Sequence, residues 1–151
     1  MWIYQLIIMK LKKLKKTVLF ICKHNSARSQ IAEGLLKELY GQYYNVYSAG
    51  TDPSTVSPYA IKVMADRGID ISKNYSKSIK QFKDQEFDYV VTVCNEENGG
   101  CPFFPRGKTY IHKSFPNPTS FTGDRNKKIK YFTLIRNEIE DWIIDTFLTS
   151  E

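Results

Sequence analysis

Apolar positions along the chain fall into two alternating kinds of run. Thr17-Val-Leu-Phe-Ile-Cys22 and Asp88-Tyr-Val-Val-Thr-Val-Cys94 are short and nearly continuous, the pattern of strands buried on both faces of a parallel sheet. Asn45-Val-Tyr-Ser48 and Thr109-Tyr-Ile-His112 are weaker examples. Between them the period changes. Ile31, Leu35, Leu36 and Leu39 recur at helical spacing up to Gly41. A second helix is expected from Ser57-Pro58, with Ser57 as cap and Pro58 at the first helical position, carrying Ile61, Met64 and Ala65 inward and stopping at Gly68. From about Asp124, the series Ile129, Phe132, Ile135, Ile139, Trp142, Ile143 and Phe147 predicts a long closing helix. A short helix is expected between Ser76 and Phe87. Strands alternating with helices predict an α/β fold with a parallel sheet and right-handed crossovers. Ligands bind such sheets at the carboxyl ends of the strands. Cys22 and Cys94 each end a predicted strand, so two of the three cysteines land on that rim.

The 151 residues contain no repeat, low-complexity tract or linker, and one domain over residues 17–151 is expected. With 42% hydrophobic and 25% charged residues, the chain is neither disordered nor membrane-spanning in composition. The net charge of +6 would suggest a polyanionic partner until it is located. Five of those charges are Lys10, Lys12, Lys13, Lys15 and Lys16, in a stretch without acids, which leaves +1 for residues 17–151. No nucleic-acid partner is expected. Residues 1–16 are expected to be a disordered extension. Trp2–Met9 is too short to cross a bilayer, and lysines that follow the apolar run are in the wrong order for a secretory signal. An apolar end joined to a basic stretch also fits an anchor on anionic lipid. The favoured reading is a frayed extension, or a start placed too early with Met9 the natural beginning, and no membrane role. Three cysteines cannot close a disulfide framework and point to a reducing, cytoplasmic setting, with thiols kept for chemistry.

Cys22-Lys-His-Asn-Ser-Ala-Arg28-Ser29 joins the first strand to the first helix. Cysteine, five residues and arginine is a spacing with a physical purpose. A tight loop turns successive backbone N–H groups inward as a nest for a tetrahedral oxyanion, and the helix N-terminus adds its positive end. The oxyanion-binding residues are then Lys23, His24, Asn25, Ser26, Ala27 and Arg28. Arg28 clamps two oxygens with its planar fork, and the same field favours the Cys22 thiolate. Ser29 is positioned to donate to that sulfur, and Asn25 to brace the loop. The competing view, a buried strand-end thiol beside a surface arginine, leaves the strand–loop–helix context unexplained.

Cys94 and Cys101 enclose a polar loop with two glycines. A zinc site needs more ligands than His24 and His112 supply, and no metal is expected. Two inert core thiols are the other alternative, weak for a cysteine that follows Gly99-Gly100. Thiol exchange fits better. If residues 94–101 were helical, their ends would lie about 10 Å apart, beyond the roughly 7 Å that a disulfide tolerates, so a bond between them requires the segment to unwind.

The stretch from Val18 to Glu33, with His24-Asn-Ser-Ala-Arg-Ser-Gln30, Tyr47-Ser-Ala-Gly50 and Val91-Thr-Val-Cys94, resembles the thioredoxin-coupled arsenate reductases of the low-molecular-weight tyrosine phosphatase superfamily. The resemblance runs from about Thr17 to Phe147. It implies a three-layer sandwich around a four-stranded parallel sheet in the order 2-1-3-4, a monomer without organic cofactor, a small oxyanion substrate (arsenate, phosphate or sulfate) and a thioredoxin-like reductant. It also implies catalytic roles for Cys22, Arg28, Ser29, Cys94 and Cys101: Cys22 attacks arsenate, Cys94 attacks Cys22 with release of arsenite, and Cys101 attacks Cys94. Two positions depart from the pattern. Where the family places an aspartate before a proline as general acid, Phe115-Pro-Asn117-Pro118 has asparagine, which cannot deliver a proton; Asp124 is the nearby carboxylate, and Asn117 as a turn cap is the plain alternative. Asn25, Glu33 and Ser48 match residues that hold potassium in some of these reductases, but the remaining carboxylate is replaced by Lys77. Insensitivity to potassium follows if the Lys77 ammonium fills that space; a solvated Lys77 is the alternative. The competing functions are a phosphomonoesterase using Cys22 and Arg28, and a non-catalytic oxyanion-binding or redox-sensing module.

Overall fold

The computed structural model describes residues 2–95 and 102–148. Four parallel strands, β1 (Lys16–Cys22), β2 (Tyr44–Gly50), β3 (Phe87–Thr92) and β4 (Gly107–His112), lie in the order β2-β1-β3-β4. Four helices accompany them: α1 (Trp2–Lys13), α2 (Arg28–Tyr40), α3 (Pro58–Asp66) and α4 (Arg125–Phe147). Parallel pairing of β1 with β2 requires a crossover, and α2 provides it.

β1 is central and alternates its burial between two cores. Val18, Phe20 and Cys22 face α2, α3 and α4, whose contributions include Ile31, Leu35, Met64, Ile135 and Ile139. Leu19 and Ile21 face a smaller cluster closed by Phe82 and Phe104. The sheet therefore carries a thick helical layer on one side. The other side has a thin layer built from the 3-10 turn Ile79–Phe82 and the chain around Phe104. Phe20 is fully buried, and its truncation to alanine would cost about 3–5 kcal/mol. Phe147 locks the end of α4 onto the sheet, meeting Tyr44 edge-on at 5.3 Å and Phe20 at 6.3 Å between ring centres.

The caps match the sequence pattern. Ser57 Oγ accepts from the amides of Tyr59 and Ala60, with Pro58 first in the helix. Gly68 takes the left-handed conformation (φ +86°) just after α3. Asp124 caps α4 by accepting from the Lys127 amide. Three expectations change. β3 ends at Thr92 rather than Cys94, with Val93 making one further bond, to the Ile21 carbonyl, before the ladder stops. β2 extends to Gly50, which pairs with Cys22. Residues 2–13, expected to be disordered, form α1: the stretch lacks glycine and proline and is rich in Leu, Met, Gln and Lys, which favour helix. No helix among the described residues is long and apolar enough to cross a membrane.

Candidate active site

The loop from Cys22 to Arg28 is shaped from outside. The carbonyls of Lys23, His24 and Ser26 accept from the amides of Asp52, Ser54 and Ser57, and that of Ala27 from Ile31 at the start of α2. The Asn25 carbonyl accepts from Ser76 Oγ at 2.8 Å and from Gln30 Nε2 at 3.3 Å. With the carbonyl edges tied outward, the trans peptides turn their N–H edges the other way, and the Asn25 amide donates to Cys22 Sγ at 3.3 Å. α2 opens on Ala27, whose side chain takes no first-turn amide, and no acid stands in that turn. Its N-terminal donors thus remain for an anion.

Asn25 is the bolt of the loop. It is fully buried and has a left-handed backbone (φ +51°), a conformation asparagine tolerates better than most residues. Its Oδ1 accepts from the Lys77 amide (2.9 Å) and Gln30 Nε2 (3.0 Å), and its Nδ2 donates to Ser29 Oγ (2.7 Å) and Ser48 Oγ (2.9 Å). Its side-chain capacity is then full. Ser48 in turn donates to Glu33 Oε1. Since Ser29 Oγ already accepts from Asn25, its own hydrogen is available to Cys22 Sγ, 2.9 Å away.

Glu33 is nearly buried between two ammonium groups, Lys37 Nζ at 2.9 Å and Lys77 Nζ at 3.7 Å. The Lys77 side chain is only 14% exposed and also donates to the Tyr75 carbonyl. Burial lowers its pKa, partly offset by Glu33. Glu33 thus already faces a tethered cation, and the residues present do not fit a free potassium ion. Arg28 is likewise buried; desolvation lowers its pKa while Cys22 pulls the other way, and a guanidinium keeps its charge through such a shift. Its Nη1 donates to the Phe115 carbonyl, tying the following segment to the loop.

In that segment Asn117 Oδ1 accepts from the Thr119 amide and hydroxyl, capping the turn Pro118–Ser120. A cavity of about 290 Å³ lies between Ser26, Ser57 and Tyr59 on one side and Pro118, Thr119 and Phe121 on the other. Cys94 is buried in the same core as Cys22, one strand over: Ile21 pairs with Thr92, two residues before it. Cys94 is disulfide-bonded, whereas Cys22 is a free thiol. Cys101 lies outside the described residues.

A family model for the low molecular weight phosphotyrosine protein phosphatases matches residues 17–147. The chain belongs to that family. It is 41% identical over 125 residues to the arsenate reductase of Halalkalibacterium halodurans, covering 83% of this chain and 90% of the relative. Among solved structures it resembles an arsenate reductase in the phosphate-binding state (TM-score 0.72, 29% identity, 90% of this chain and 99% of the other). It also resembles a thioredoxin-dependent arsenate reductase of Corynebacterium glutamicum (TM-score 0.65, 28% identity, 95% of this chain and 67% of the other).

The structure gathers Cys22, Asn25, Ser29, Glu33, Ser48 and Lys77 into one body linked by hydrogen bonds and an ion pair, while Arg28 is bonded to the Phe115 carbonyl. Lys23 is exposed, and His24 Nδ1 pairs with the Asp52 carbonyl at 2.9 Å. Asp124, the neighbouring carboxylate, is committed to its helix cap. Asn117 acts as a cap, the plain alternative for that position. Sequence reasoning missed Gln30 and Gly50. A Cβ on Gly50 would lie 2.5 Å from the Lys23 carbonyl oxygen, so only glycine lets β2 meet the loop. The signal was available in Ser-Ala-Gly at the end of β2.

Proposed function

We propose that the protein reduces arsenate to arsenite through a relay of Cys22, Cys94 and Cys101, regenerated by a thioredoxin-type dithiol. The observation that carries this reading is the Cys22 loop, whose carbonyls are all held outward beside a buried guanidinium. It is supported by the disulfide at Cys94 with Cys22 left free, and by the names of its relatives.

Lys23 to Arg28 hold the oxyanion, with Arg28 on two oxygens and Ser29 on the sulfur. Cys22 Sγ attacks arsenic and displaces one arsenate oxygen, which leaves as water. Cys94 Sγ then attacks Cys22 Sγ: the S–S bond forms, the As–S bond breaks, and its electron pair stays on arsenic, which departs as arsenite. The two electrons gained by arsenic are those lost by the two sulfurs. Cys101 Sγ attacks Cys94 Sγ and frees Cys22, so the disulfide at Cys94 is assigned to Cys101 as its partner. A dithiol reductant reopens that bond. Asn117 supplies no proton, and solvent or arsenate itself protonates the leaving oxygen. The Lys77 ammonium takes the place of a bound cation beside Glu33, and turnover is the same in sodium and potassium salts.

A phosphatase working only through Cys22 and Arg28 is the second reading, favoured by the same loop and opposed by Asn117. The test is NADPH consumption with arsenate, thioredoxin and thioredoxin reductase. The relay predicts that Cys94→Ser and Cys101→Ser each abolish turnover while keeping Cys22-dependent hydrolysis of p-nitrophenyl phosphate. Arsenate turnover that survives both substitutions overturns it.

A further inference from the structure

The first two turns of α1, Trp2–Met9, are apolar on nearly every side and largely exposed. Trp2 is 74% exposed, Ile3 66%, Tyr4 67% and Ile7 52%, with Leu6 and Met9 also exposed and Gln5 the one polar residue of Trp2–Met9. A helix apolar all round is ordinarily covered. The residues that follow carry the lysines at positions 10, 12, 13, 15 and 16 without a single acid, and they hold most of the net charge of the chain. Lys15 and Lys16 are engaged with the body, at the Gly41 carbonyl and over the Tyr89 ring. α1 joins the sheet where β1 begins. Leu14, Tyr43 and Leu148 are exposed at this same edge: the Tyr43 carbonyl bonds the Lys16 amide, and Leu148 follows Phe147, whose carbonyl meets Tyr44 Oη.

We propose that α1 docks this edge of the protein on an anionic lipid surface, with Trp2–Met9 among the headgroups and acyl ends and the lysines on lipid phosphates. Eight helical residues span about 12 Å, enough to enter the interface and far too little to cross a core of about 30 Å. Charge complementarity selects the occupant: a second copy would bring a second set of lysines into the same contact, whereas an anionic surface neutralises them. This departs from the favoured expectation of a frayed tail with no membrane role. Cys22 ends β1 at the opposite rim, about 20 Å from where α1 joins, so docking leaves the active site facing solution.

The test is co-sedimentation of the full chain with vesicles of phosphatidylcholine, or of phosphatidylcholine and phosphatidylglycerol in equal parts. Binding is expected only to the mixed vesicles and is lost at high salt. Lys10→Gln, Lys12→Gln and Lys13→Gln together should weaken it more than a hundredfold, at about fivefold per lysine. Brominated acyl chains should quench a fluorescence signal that Trp2→Phe removes. Removing residues 2–9 should abolish binding while p-nitrophenyl phosphate hydrolysis is unchanged. Binding to neither vesicle, equal binding to both, or self-association through α1 without vesicle binding overturns the proposal.

Discussion

The Cys22 loop and the Phe115–Ser120 segment flank the same cavity and are joined by Arg28, yet they are built differently. The loop spends every carbonyl and the whole side chain of Asn25 on fixing one backbone shape. The segment places Asn117 in a local cap that bonds only its own turn. One wall holds a fixed loop and a buried guanidinium beside a sulfur; the other offers an amide that has no proton to give. A site with this asymmetry suits a leaving group that can take its proton from water or from the substrate's own hydroxyls, as an arsenate oxygen can, over an unactivated phenolate that relies on an acid from the protein.

Changes on the loop side should have the largest effect. Arg28→Lys keeps the charge but loses the planar fork, and turnover on p-nitrophenyl phosphate should fall by about 10²- to 10³-fold. On the opposite wall, Asn117→Asp should raise hydrolysis of phenyl phosphate by about 10²-fold while barely changing p-nitrophenyl phosphate, because only the poorer leaving group gains from an acid. No gain on phenyl phosphate would mean that the two walls differ in reach as well as in chemistry. Gly50→Ala should destabilise the fold by roughly 1–3 kcal/mol in urea denaturation and weaken phosphate binding, since the added methyl pushes on the Lys23 and Asn25 backbone. The smallest effect is expected at Lys77. Its folded pKa is lowered by burial, so in the window below the ordinary lysine value the unfolded chain binds more protons and stability rises with pH. Lys77→Met should remove that alkaline rise, measured as the slope of unfolding free energy between neutral and alkaline pH.

The strands, the cap at Ser57, the start of the closing helix near Asp124, and the Cys22–Arg28 loop were legible because each is written locally, in apolar period, cap chemistry or spacing. Gln30 and Ser76 were not, since their role is to reach the Asn25 carbonyl, and only the folded chain brings residues 30 and 76 to residue 25. The end of β3 was misjudged for a similar reason: Val93 and Cys94 remain apolar and buried after the ladder has stopped, so burial outlasts pairing. Disorder was expected over residues 2–13 because the apolar run is too short to cross a bilayer and is ordered wrongly for a secretory signal, and neither point bears on whether the stretch is helical.

The amides of Asp52, Ser54 and Ser57 grip the rear of the Cys22 loop without reaching whatever it encloses. Affinity for a guest anion is thus tunable from a hoop of residues outside the pocket, and relatives that share every residue from 22 to 28 can still differ in how tightly they hold the same ion.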